Sequence, residues 1–307
     1  MFDHFAYSVL AVPVLVLCGT WVLTDRLQPV VAARIFAWSA VTAGASSAVN
    51  VFVFMLKAVT ELPSVAAFGG WSHEIVKADT AHVPWVSLAS VIWAVLSGIA
   101  IAFGYRRYRA SLRNAWAQVD DLGDTGEVVV LPDARIEAFA LPGRPGEDGR
   151  VVVTEGLRGA LSDREYAAVL AHERAHLSGD HHRLVWMTRL SAYAQPALWP
   201  LIRRVGYMVE RAADEEAARV TGDRGDVAKA IARAALARKD MGTANTAGML
   251  AMSAPSGAVP RRMAAMMGPA VARRWLLAAP VLIAVSTVIW TGECVYDLFE
   301  LLIHASV

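Results

Sequence analysis

The sequence predicts a multi-pass α-helical membrane protein with an α+β domain inserted on the cytoplasmic side. Three observations carry that reading. Four apolar stretches are long enough to cross a hydrocarbon core, which takes about 20 helical residues. Arginines crowd the flanks on one side of them, and a segment of domain size and mixed composition separates the third stretch from the fourth. The 307 residues are 56% hydrophobic and only 19% charged, with a mean hydropathy of +0.41, which disfavours a purely cytosolic protein. Twenty-nine basic residues face 28 acidic ones for a net charge of +1, so the chain lacks the positive field of a nucleic-acid binder and no direct nucleic-acid binding is expected. Cys18 and Cys294 lie at opposite ends. They make neither a disulfide framework nor a thiolate site, and any metal must be held by nitrogen and oxygen.

In order along the chain, the apolar stretches cover residues 5–23, 35–60, 83–105 and 275–291. The first opens Met-Phe-Asp-His-Phe without a basic n-region and runs apolar too long for a signal peptide, so it is expected to stay as an anchor. Arg26 and Arg34 flank the link between spans one and two. Arg106, Arg107 and Arg109 follow span three, and Arg273 and Arg274 precede span four. The positive-inside rule puts these flanks in the cytoplasm. The loop 61–82 holds Glu61, Glu74 and Asp79 against Lys77 alone, and Asp3 sits at the N-terminus, so both are expected outside. The expected organisation is three spans over 1–105, a cytoplasmic domain over 106–274, and a fourth span with a short tail over 275–307, both termini extracytoplasmic. His73 and His82 in the outer loop offer too few donors for a metal site.

Within the domain, residues 106–121 read as a helix leaving the membrane and 121–127 as a turn-rich link. Short β-rich runs follow at 128–131, 137–141 and 150–154, the last two separated by Pro-Gly-Arg-Pro-Gly-Glu-Asp-Gly, which predicts a hairpin. Helices dominate the rest, and the Ala, Gly, Ser and Thr-rich stretch 242–260 is expected to be a loop.

The chemistry is carried by Ala171-His172-Glu173-Arg174-Ala175-His176. Ser162 and Glu165 have capping-box spacing, so a helix is predicted from Asp163 to a stop at Gly179. On it, residues four apart are stacked one turn away, so His172 and His176 point at one spot. Glu173 is next around the helix, within reach of a water at that spot. This H-E-x-x-H spacing suits a zinc centre with two histidine ligands and a glutamate general base. Zinc needs a third protein ligand, and Val209-Glu210-Arg211-Ala212-Ala213-Asp214 supplies one. Glu210 can close a His2Glu site, while Asp214, four residues on, can accept the second ring proton of a ligating histidine. Alternatively these carboxylates, followed by Glu215 and Glu216, form a solvated acidic face. One zinc per chain is expected.

The apolar run 184–202 lies between the two motifs. A single crossing would put Glu210 on the far side of the bilayer from His172. Two crossings would need about 40 residues plus a turn, and 33 separate His176 from Glu210. With Pro196 and Pro200 it is expected to form a bent helical pair, packed under the domain or lying against the membrane surface. For peptide hydrolysis a second oxyanion donor is needed besides the metal. Candidates are Tyr207, His181, His182, Arg261 and Arg262, with Ser253-Ala254-Pro255 ahead of the basic pair. The run Ala138, Phe139, Ala140 and Leu141 is either a sheet edge for an extended peptide substrate or a buried strand.

At this point the residues resemble a family. H-E-x-x-H followed by E-x-x-x-D marks gluzincins, and such a domain between a third and a fourth span is similar to the BlaR/MecR-type membrane metallopeptidases. Further matches are Ala138-Phe139-Ala140-Leu141-Pro142-Gly143, Val151-Val152-Val153-Thr154-Glu155-Gly156-Leu157, and Asp180, four residues after His176 and expected behind a ligand. The likeness runs from span one through span four. It implies a zincin-like (gluzincin) inserted domain and a regulatory zinc metalloendopeptidase that cuts a cytoplasmic DNA-binding repressor, often with cleavage of its own chain. The family's antibiotic sensors carry a penicillin-binding domain after span four. Here residues 292–307 follow, so direct β-lactam sensing is not expected. HtpX-type quality-control proteases share the motifs but place spans between them. They are one alternative, and a zinc-binding membrane receptor or scaffold without catalysis is another.

Overall fold

The computed structural model describes residues 2–123, 125–240, 259–268 and 278–306. Among these, four helical stretches are long and apolar enough to cross a membrane: Phe2–Leu23, Pro29–Thr60, Trp85–Asp120 and Ala278–Ala305. The first comprises α1 (Phe2–Ala6), a π-helical turn (Tyr7–Ala11) and α2 (Val12–Leu23). The second, α3 (Pro29–Thr60), opens on a proline, whose missing N–H is an orphan at that position in any case. Short α4 (Pro63–Gly69) and α5 (His73–Ala78) precede α6 (Trp85–Asp120). At 36 residues, α6 is about 54 Å long at the standard rise. The exit helix expected at 106–121 is therefore its continuation: no proline interrupts 85–120. Lys57 of α3 is fully buried, and its ammonium donates to Glu61 Oε1 at 2.7 Å and Thr80 Oγ1 at 2.8 Å.

Three strands, β1 (Val128–Leu131), β2 (Ala138–Leu141) and β3 (Arg150–Thr154), form a sheet in the order β1-β3-β2. β1 runs parallel to β3, and β2 antiparallel, pairing Phe139 with Val152 and Leu141 with Arg150. The expected hairpin thus forms, with β2 on the sheet's outer edge. One face of the sheet packs Val129, Leu141 and Val152 on Trp116 and Val119 of α6. The other packs Val151 and Val153 on Leu157, Tyr166, Val169 and Leu170.

Those last contacts belong to α7 (Glu155–Ala160) and α8 (Asp163–Ser178). α8 begins with the predicted Ser162–Glu165 capping box and ends at Gly179. α9 (His181–Ala194), a 3-10 turn (Pro196–Leu198) and α10 (Trp199–Thr221) make the bent pair. α11 (Arg224–Asp240), α12 (Val259–Met267) and α13 (Ala278–Ala305) complete the described elements. α13 continues beyond the apolar stretch expected to end at 291, and the Ala305 carbonyl accepts from the Ser72 amide at 2.9 Å. The loop expected at 242–260 lies outside the described residues except for Val259 and Pro260, which open α12. Ser253-Ala254-Pro255, Arg273, Arg274 and residues 275–277 also lie outside them.

The bent pair corrects one expectation. Expected under the domain or against the membrane surface, it instead has its tip packed among the apolar helices. Ser191 packs so closely on Gly44, near the midpoint of α3, that a Cβ on Gly44 would come within 2.8 Å of the Ser191 Cβ. Tyr193 fits in the same way over Gly104 of α6. Gln195 at the tip donates to the Val9 carbonyl at 2.8 Å and to Ser47 Oγ at 3.1 Å. Trp93 of α6 donates its indole N–H to the Ala194 carbonyl at 2.9 Å. The turn can be buried among these helices because their own groups satisfy the polar atoms freed there. Nearer the α2–α3 link, Leu184, Val185, Val205 and Met208 pack on Leu23, Leu27, Ala32 and Phe36.

Candidate metal centre

α8 and α10 lie side by side, and the helical spacing read from the sequence brings three side chains to one point. His172, His176 and Glu210 each offer a ligand atom within 4.8 Å of the others. The two histidine Nε2 atoms are 3.1 Å apart. Glu210 Oε2 lies 3.7 Å from His172 Nε2, and Oε1 lies 3.7 Å from His176 Nε2. Tetrahedral zinc at the usual bond lengths holds its ligand atoms about 3.3 Å apart. The spacing fits such an ion, and so does the donor set of two imidazoles and a carboxylate.

Behind the ligands stand buried partners. Asp214 Oδ1 is 3.0 Å from His172 Nδ1, the carboxylate contact that fixes a ligand's tautomer. Arg262 of α12 forks onto Asp214, with Nε to Oδ2 at 2.8 Å and Nη2 to Oδ1 at 2.6 Å, and its Nη1 reaches Glu210 Oε2 at 2.7 Å. α12 is itself held by Arg224, which donates to the Ala265 and Met266 carbonyls. Burial alone would raise the carboxyls of Glu210 and Asp214; Arg262 and His172 outweigh it and hold both below their ordinary values. Burial likewise opposes a proton on His172, yet Asp214 and Glu210 push its imidazole up to about 10. His176 is pushed down to about 4 by burial, with the positive charges of His172 and Arg262 adding to it. The metal-free centre thus favours a charged His172 beside a neutral His176.

Glu173 follows His172 on α8, near enough to Arg262 for its charge to be felt there. The remaining sequence candidates divide. Asp180 does not stand behind a ligand. Its backbone turns at φ 50° between α8 and α9, and its carboxylate points to Arg183 at 3.2 Å, half exposed. His181 takes that place, with Nδ1 3.1 Å from His176 Nδ1. His182 is held below its ordinary value by burial and feels Asp180 and Arg183 instead. Tyr207 is buried in the cluster with Leu23 and Leu27. Arg261 covers the Tyr207 ring at 4.6 Å and lies 3.7 Å from Asp25. Arg262, expected to stabilise an oxyanion, has its fork engaged on Asp214. Of the oxyanion candidates, His181 and Arg262 thus lie against the centre, through His176 and through Asp214 and Glu210.

Two histidines and a glutamate on neighbouring helices, with a second glutamate between the histidines, define a zinc-dependent metallopeptidase. Residues 106–274 match the model of peptidase family M48. That is more than half of the chain, which belongs to this family of zinc metalloproteases and is a hydrolase of peptide bonds. No curated protein and no solved structure matches it. Membership of a peptidase family favours an enzyme over the reading of a mere zinc-binding scaffold.

Proposed function

We propose that the chain is a membrane-embedded, regulatory zinc metalloendopeptidase whose centre faces the cytoplasm and cuts a protein there, such as a DNA-binding repressor or its own chain. The observation that carries the reading is the convergence of His172, His176 and Glu210, with α10 packed against the α2–α3 link, where Arg26 and Arg34 lie. Arginine-rich flanks favour the cytoplasmic side. Bound zinc would supply a Lewis acid for the scissile carbonyl and a more acidic water.

The protein groups do the rest. Asp214 holds the His172 ring with Nε2 toward the centre, and Arg262 keeps the Asp214 and Glu210 carboxylates ionised. Glu173 takes the proton of the attacking water and hands it to the leaving amine. Among the described residues no strand pairs with the outer edge of β2, and there Ala138, Phe139, Ala140 and Leu141 can pair with an extended peptide through main-chain hydrogen bonds.

The test compares proteins shortened in cells expressing the wild type with those in cells expressing Glu173→Ala. A single cytoplasmic protein cut only by the wild type supports the regulatory reading. A second reading, quality control of membrane proteins as in HtpX-type proteases, is favoured by the insertion of α9 and α10 among the spans between the two motifs. It expects many unfolded membrane proteins to be cut instead.

A further inference from the structure

We propose that His181 is a positioning residue for the metal ligand His176, accepting a hydrogen bond from its Nδ1–H. The proposal rests on the zinc-peptidase reading of the centre. Each ligating imidazole must turn its unprotonated Nε2 toward the ion, which leaves a proton on Nδ1 in need of a partner. For His172 the partner is Asp214, 3.0 Å away. For His176 the atom in place is His181 Nδ1, at 3.1 Å, in a side chain that is 5% exposed. With His176 as donor, His181 accepts through Nδ1 and carries its own proton on Nε2.

The chain is shaped to allow this contact. α8 stops at Gly179, and Asp180 turns at φ 50°, so that the first residue of α9 folds back over the end of α8. The His181 ring occupies the space a side chain at 179 would need: a Cβ there would collide with its Nε2. The two rings meet edge to face, with centroids 5.0 Å apart. A neutral partner also orients His176 without adding a third buried carboxylate beside Glu210 and Asp214.

The test uses the full-length protein in detergent, with zinc affinity measured by chelator competition and the visible spectrum recorded after cobalt substitution. Asparagine places its side-chain oxygen where His181 has Nδ1, whereas leucine keeps the branching and loses the acceptor. His181→Leu is expected to weaken zinc binding by about 10- to 100-fold and to shift the cobalt bands, while His181→Asn restores both. Gly179→Ala, which touches no ligand, should displace the His181 ring and behave like the leucine variant. Wild-type affinity in His181→Leu, or an asparagine variant no better than leucine, overturns the proposal alone. A wild-type protein that binds no zinc overturns the peptidase reading together with it.

Discussion

Arg262 and Glu210 form a buried ion pair, Nη1 to Oε2 at 2.7 Å, in which the guanidinium also holds Asp214. One cation from α12 therefore balances two carboxylates of α10 that would otherwise repel each other out of water.

Arg262→Ala should destabilise the protein by about 3–5 kcal/mol, the usual result of stripping one partner from a buried charge pair. Arg262→Lys should recover only part, because an ammonium cannot fork onto a carboxylate. Thermal unfolding in detergent measures both; a melting temperature unchanged in Arg262→Ala would contradict the assignment.

Asp214→Asn keeps the shape and removes the charge behind His172. Zinc affinity should fall by about 10- to 100-fold, as read by chelator competition. Equal affinity would mean that the contact at 3.0 Å does not tune the ligand.

Glu173→Gln separates metal binding from catalysis. Zinc content should stay at one per chain while peptide cleavage drops by about 10²- to 10⁴-fold, the range of general-base contributions. Retained cleavage would remove Glu173 from the mechanism.

The pH dependence follows from His172, whose imidazole is raised from 6.5 to about 10. In the metal-free protein the stability due to that charged ring is full below pH 6.5 and is lost as pH rises toward 10. Zinc must displace the same proton. Binding between pH 7 and 9 should release about one proton, and apparent affinity should climb about tenfold per pH unit. Titration calorimetry in buffers of different ionisation enthalpy counts the protons, and a count of zero would refute the linkage.

What the sequence disclosed depended on how local each feature is. Ser162, Glu165 and Gly179 bound α8 by rules acting within one or two turns, so the helix and its His172–His176 face were legible to the residue. Glu210 and Asp214 were legible for the same reason once a third ligand was required. Asp180 was misjudged because a single left-handed residue reverses the chain and exchanges its place with His181, and spacing alone carries no such sign. The depth of the α9–α10 pair was hidden too: an apolar run with two prolines has the same composition whether it meets lipid, a domain or a bundle. The long-range partners of Gln195 and Ala194, with the packing on Gly44 and Gly104, distinguish these.

That insertion also bears on how the enzyme can be handled. α10 begins at Trp199, beside the buried Gln195 turn, and ends past the metal ligand, so one helix connects the apolar helices with the reactive centre. Excising residues 106–274 would remove Val9 and Ser47 from Gln195 and Trp93 from Ala194, and would open the surface now covered by α3. The fragment named by the family match thus shares buried contacts with the apolar helices, and biochemistry on this peptidase is better done with those helices present.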